Sequence, residues 1–243
     1  MVIFVSMELK NILENGADYF IPNLSIDLVI IGFKEGELKC LLLKIGPKWL
    51  LPGGYIKNEE SVTTAVGRIL MERTNLQNPH FKFLEVFGDK NRNFKDEFKV
   101  YFAEKGLEWR DDHWFGRRYI TLAYYSLVDI ANTFPEPGEF DEAAEWFSFD
   151  ELPDIGLDHE SIINTARAKL KEDIQREHLT YNLLPNEFTM PQLHRLHESI
   201  MDEKLDRSRF QKKMLASGVF ERLPKLKKET RGSNPYQYRL KEN

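Results

Sequence analysis

Residues able to do chemistry fall in two places along the 243-residue chain. Near its end, Arg207, Ser208, Arg209, Gln211, Lys212 and Lys213 share the polar side of a segment whose apolar positions are Phe210 and Met214. Side chains of these types reach base edges and phosphates. Lys225, Lys227, Lys228 and Arg231 follow, with Gly232 and Ser233, between two short strand-like runs, 219–222 and 236–240. That pattern suits a basic wing against a DNA backbone or minor groove. Nearer the start, Asp27 interrupts an otherwise apolar strand, and a buried carboxylate needs a partner, either a ligand or a nearby Lys or Arg. Asp89, Lys90 and Arg92, after a strand ending at Phe87, together with Asn23, Ser25 and Lys44, are the other candidates to line a pocket for a small-molecule effector, although loop charges are commonly only solvated.

These residues need elements to hold them. Leu24 to Phe33 and Leu38 to Ile45 are rich in Val, Ile and Leu and predict a β-hairpin. Leu51-Pro52-Gly53-Gly54 predicts a turn, and the apolar spacing of Val62, Val66, Ile69 and Leu70 a helix over Glu60 to Arg73. Further strands are expected at Phe81 to Phe87, Tyr119 to Val128 and Glu145 to Phe149. A long helix should run from Asp158 to Arg176 with Ile162, Ile163, Ala166 and Leu170 inward. Thr189 and Asp206 are N-cap residues for two helices joined by Asp202-Glu203-Lys204, a helix-turn-helix outline ended by Gly218. The fold class is therefore α+β, with one unit over 1–176 and a second over 177–243. Residues 90–117 are longer than an ordinary loop. Phe94, Phe98, Tyr101 and Phe102 recur there at helical spacing, which predicts a small helix covering the first unit; a lid or a dimer contact is the alternative.

Composition narrows the class. The net charge is −5, yet residues 201–243 carry +6 and the first 200 carry −11, so the C-terminal part is the one fitted to a polyanion. The longest apolar runs are too short to span a bilayer. The first residues, Met1 to Ser6, do not read as a signal peptide. Cys40 is the only cysteine, which excludes an intrachain disulfide and a thiolate metal cluster and fits a reducing cytoplasm.

Gly54, Glu60, Arg68, Leu70, Glu72 and Leu76, introduced by Leu51-Pro52-Gly53-Gly54, resemble the Nudix box; Ile69, Arg73 and Asn75 depart from it. The resemblance implies a Nudix-like α/β/α sandwich with a mixed sheet. In that family three metal-binding glutamates stand where this chain has Ile69, Glu72 and Arg73, on one helix face. Magnesium needs several oxygen ligands, and one carboxylate beside an isoleucine and an arginine is a poor set. No metal, no cofactor and no hydrolysis are therefore expected, and Glu60, Arg68 and Glu72 are read as bracing loop against helix. An active hydrolase drawing on Glu72 with Glu59 or Glu60 is the rival reading.

The order Phe188-Thr189, helix, Leu205-Asp206-Arg207, Phe210, Lys213, Leu215 and a terminal Tyr-x-Tyr strand resembles the C-terminal winged helix-turn-helix domain of the Nudix-related transcriptional regulators. The resemblance implies a homodimeric regulator that binds double-stranded operator DNA and changes affinity when a small molecule occupies the Nudix-like domain. The aromatic insertion and degraded box are most similar to the sugar-responsive branch, which implies L-arabinose and a repressor of sugar utilisation. ADP-ribose and control of NAD metabolism are the alternative effector and role, and a protein-interaction module is a third possibility for the C-terminal unit.

Overall fold

The structure, a computed structural model, describes residues 7–76, 80–138, 141–176, 183–226 and 234–241. In chain order the elements are α1 (Met7–Asn15), β1 (Phe20–Lys34), β2 (Glu37–Ile45), β3 (Lys48–Leu50), β4 (Gly53–Lys57), α2 (Val62–Thr74), β5 (Lys82–Phe87) and α3 (Lys95–Glu104). Then follow β6 (Ile120–Leu127), β7 (Ala143–Ser148), α4 (His159–Arg176), β8 (Phe188–Thr189), α5 (Met190–Met201), α6 (Arg207–Ala216), β9 (Phe220–Lys225) and β10 (Tyr236–Leu240).

Strand β1 organises the first unit. Its run from Ile26 to Ile31 is buried throughout, because helices cover both faces of the sheet. Ile26, Leu28 and Ile30 pack with Ala65, Val66, Ile69 and Leu70 of α2. Val29 and Ile31 point the other way, with Ala123 and Tyr125, into a core shared with Ile162, Ile163, Ala166 and Leu170 of α4. The sheet runs β3-β2-β1-β6-β5, with β4 also paired to β1 and β7 to β2. β1 and β6 are parallel and the remaining pairs antiparallel, so the sheet is mixed. This is the α/β/α sandwich expected.

The Leu51–Gly54 stretch is not simply a turn. Gly53 and Gly54 begin β4 and pair with Asp27 and Ile26 of β1. A Cβ on Gly53 would stand 2.7 Å from the Ile26 carbonyl oxygen and 2.8 Å from Asp27 Oδ1, so the strand closes on β1 only because that side chain is missing. The insertion does contain a helix, α3, which buries Tyr101 and Phe102. They join Leu13, Trp114 and Tyr119 in a third apolar cluster, flanked by Phe20, Tyr55, Phe98 and Trp109.

The second unit is a winged helix. Thr189 forms a capping box with Gln192 at the start of α5, Asp206 caps α6, and a sheet ordered β8-β10-β9 supplies the wing. Its core residues Leu193, Leu196, Ile200, Phe210, Met214 and Tyr238 are continuous with the α4 side of the first unit. Ser199 Oγ accepts a hydrogen bond from the Leu38 backbone N–H at 3.1 Å. Among the described residues, no helix is long and apolar enough to cross a membrane.

His197, against the Phe210 ring, is buried, and burial, with the charge of Lys213 nearby, pushes its imidazole down from the usual 6.5 to about 4. The unfolded chain therefore takes up a proton between those two values that the folded chain refuses, and stability falls as pH drops through that window. Denaturation titrations between pH 7 and pH 4 are expected to show a loss of up to about 3 kcal/mol from this group, and His197→Gln should flatten that part of the profile.

Candidate effector pocket and nucleic-acid interface

Asp27 finds its partner in Arg92. The guanidinium Nη2 lies 3.3 Å from Asp27 Oδ2, while Nε and Nη2 donate to the two carboxylate oxygens of Asp158 at 2.7 and 3.1 Å. The planar fork meets Asp158 through two bonds and Asp27 through a third. His159 completes the group. Its Nδ1 accepts from the Leu51 N–H at 2.9 Å, which assigns the ring proton to Nε2, 3.7 Å from Asp27 Oδ1. Burial lowers the His159 pKa, although Asp27 acts against the shift, and the ring is neutral. Asp27, Arg92 and His159 are all less than 8% exposed.

The sequence candidates distribute unevenly around this group. Asp89 lies on the wall of an open cleft of about 600 Å³ with Phe87, Ile120, Asp158 and Ser161, and Lys90 is exposed on the same loop. Ser25 is paired in register with Tyr55 of β4 and Thr121 of β6. Asn23, at a left-handed φ of 62°, donates to the Trp114 carbonyl at 2.9 Å and ties the insertion to β1. Lys44 stands apart, opposite Trp49 and Ala143 near the end of β2. Sequence reading missed Asp158 and His159 as site residues. From sequence Asp158 reads only as the start of a helix, and nothing local marks either residue as facing Asp27.

The Nudix-box residues form a structural brace. Arg68 donates to Glu60 at 2.5 and 3.0 Å, to Glu72 and to the Tyr55 carbonyl, while Glu60 also accepts from the Lys57 N–H. The Arg68 hydrogen bond is the main reason that the Glu60 carboxyl is held below its usual pKa. Ile69 is buried against Gly54. Arg73 pairs with the buried carboxylate of Asp141. Among the described residues, no cluster of His, Cys, Asp or Glu is arranged to hold a metal ion.

On the second unit, Arg207, Ser208, Arg209, Gln211, Lys212 and Lys213 are exposed along α6, while Phe210 and Met214 turn inward. Lys225 lies in β9 beside Tyr236, whose ring also carries the Arg222 guanidinium 3.3 Å from its centroid. Arg222, read from sequence only as part of a strand, is thus a further cation on this surface. Lys227, Lys228 and Arg231 lie outside the described residues.

A mixed sandwich with a degraded Nudix box, joined to a winged helix with a basic recognition helix, defines a class of two-domain protein. Residues 23–166 match the family described as NUDIX domain, and residues 180–240 match the NrtR DNA-binding winged helix domain. The chain belongs to the Nudix family, in its NrtR-like branch that carries a DNA-binding winged helix. It is 23% identical over 214 residues, 84% of this chain and 77% of the relative, to the ADPR-responsive transcriptional repressor NtrR of Acinetobacter baylyi. The fold is similar to that of Shewanella oneidensis NrtR in complex with a 27mer DNA, at 22% identity and a TM-score of 0.69, covering 90% of this chain and 93% of that one. A MutT/nudix family protein from Enterococcus faecalis matches at 20% identity and a TM-score of 0.67, covering 98% and 100%.

Removing the guanidinium strands two carboxylates, one of them buried. Chemical denaturation of Arg92→Met is expected to register a loss of about 3 to 5 kcal/mol, part of which Asp27→Asn should restore in the double variant. A change below about 1 kcal/mol would mean that the group behaves as an exposed ion pair.

Proposed function

We propose that the chain is a transcriptional repressor that binds operator DNA as a homodimer and is released by ADP-ribose held in a Nudix domain without hydrolytic activity. The observation that carries the DNA reading is the row of exposed cationic and amide side chains on α6, set beside the Lys225 and Arg222 wing. That arrangement places base-reading groups at the start of one helix and phosphate-binding groups on either side. A homodimer suits it, because one winged helix reads one half-site and a two-fold pair reads two. A DNA partner suits a cytoplasmic protein.

ADP-ribose is proposed from the Acinetobacter relative, whose name carries that effector. The L-arabinose suggested by the degraded box and the aromatic insertion finds no such support among the relatives and becomes the second reading. What favours it is the buried phenol of Tyr119 near Arg92, a neutral group of the kind that bonds a sugar hydroxyl. The absence of hydrolysis rests on Ile69 and Arg73, which leave Glu72 without the neighbouring carboxylates that would complete a magnesium site.

Fluorescence anisotropy with duplex DNA from upstream of the gene is the test. Binding should weaken steeply with salt, and Arg207→Ala with Lys212→Ala should weaken it at least tenfold. ADP-ribose should release the DNA; release by L-arabinose alone would move the protein to sugar control. Failure to bind any duplex at low salt would leave the C-terminal unit as a protein-interaction module. With magnesium, ADP-ribose should persist without release of AMP, and AMP production abolished by Glu72→Gln would overturn the inactive reading.

A further inference from the structure

A cavity of about 240 Å³ lies in the winged helix, where α6, the first turn of α5 and the stem of the wing converge. Arg207, Phe210 and Gln211, at positions i, i+3 and i+4, turn one side of α6 toward it. Lys225 and Tyr236, paired in register between β9 and β10, form the facing wall. The Leu226 N–H donates to the Pro235 carbonyl at 2.9 Å and closes the stem beside them. The Arg222 guanidinium stacks on the Tyr236 ring, 3.3 Å from its centroid, and holds that wall in place.

The chemistry of the walls is one-sided. Among the described residues, no Asp or Glu lines the cavity, while Arg207 reaches it from the helix and Lys225 from the wing, and neither pairs with a carboxylate. Neighbouring cations are committed elsewhere: Arg239 of β10 donates to Glu221 at 2.8 Å, and Arg222 lies on the Tyr236 face. Two like charges facing one small concavity repel each other, and an anion between them turns that repulsion into attraction. The Gln211 amide and the Tyr236 phenol add neutral donors of the kind that bond phosphate oxygens. The volume is below the roughly 300 Å³ at which pockets for drug-sized ligands begin, so the cavity suits a single charged group and not a whole nucleotide.

We propose that this cavity is a phosphate subsite, in which one phosphodiester of the bound duplex is held between Arg207 and Lys225. The proposal rests on the reading that the winged helix binds DNA. It divides the labour of α6 in a way that the row of polar side chains alone does not. Arg207, although it stands at the start of the recognition helix, sets the register of the protein on the duplex and reads no base. Ser208, Arg209 and Lys212, which do not line the cavity, are left to meet base edges.

The test is fluorescence anisotropy of the full chain with the upstream duplex and with a scrambled duplex of equal length, over a series of salt concentrations. Arg207→Ala and Lys225→Gln should each weaken binding to both duplexes by the same factor and lower the slope of log affinity against log salt by about one. Both side chains are exposed, so melting temperatures should stay level. Replacing the backbone phosphates one at a time by neutral methylphosphonates then locates the contact. One position in each half-site should cost the wild-type protein about tenfold in affinity and cost Arg207→Ala almost nothing, because the partner is already gone. A loss confined to the upstream duplex, or methylphosphonate costs that Arg207→Ala retains at every position, would overturn the subsite while leaving DNA binding intact. Wild-type protein that binds neither duplex at low salt would remove the DNA reading and this one with it.

Discussion

A carboxylate in the middle of a doubly covered strand is the constraint on which the first unit depends. Asp27 lies on β1 between residues buried by α2 on one side and residues facing α4 on the other. Its charge is tolerated because Arg92 reaches it from a loop 65 residues away and is itself held by the Asp158 fork at the start of α4. Burying an ion without a partner costs several kcal/mol. The loop after β5, the start of α4 and the glycine pair of β4 are therefore positioned together. Gly53 must lack a side chain for Asp27 to sit where it does, and His159 must accept from Leu51 for β4 to enter at that height.

Helix α4 carries this arrangement toward the second unit. Near its far end Asp173 accepts from Tyr125 and from Lys82, which tie the helix to β6 and β5. Burial pushes that carboxyl up, and the bonds from Lys82 and Tyr125 outweigh it and hold the group ionised. Arg167 and Lys171, on the exposed side, stand 3.6 and 3.8 Å from Asp202 at the turn between α5 and α6. Exposed pairs of this kind are worth little in energy. The shared apolar core of α4, α5 and β2 is what joins the two units.

Part of the Nudix box serves the fold itself. Glu60 and Arg68 keep their places because they brace the β4 loop against α2, a duty independent of metal. Ile69 and Arg73 occupy two of the positions where the box carries carboxylates. The first has turned into the core and the second has joined Asp141.

Much of the architecture was legible in the sequence, because period and capping are local. The apolar runs of β1 and β2, the stripe of α4, the Thr189 and Asp206 caps and the polar face of α6 all follow from side-chain types a few residues apart. The basic character of the C-terminal unit needed only counting. What tertiary structure decided was partnership. Asp27 posed a question that sequence left open between a ligand and a cation, and only folding brought Arg92, Asp158 and His159 to it. The glycines read as a turn became a strand because a carbonyl and a carboxylate pass close by. Whether a buried hydroxyl such as that of Thr121 is satisfied was likewise invisible in a string of letters, since that depends on neighbours that contact across the sheet rather than along the chain.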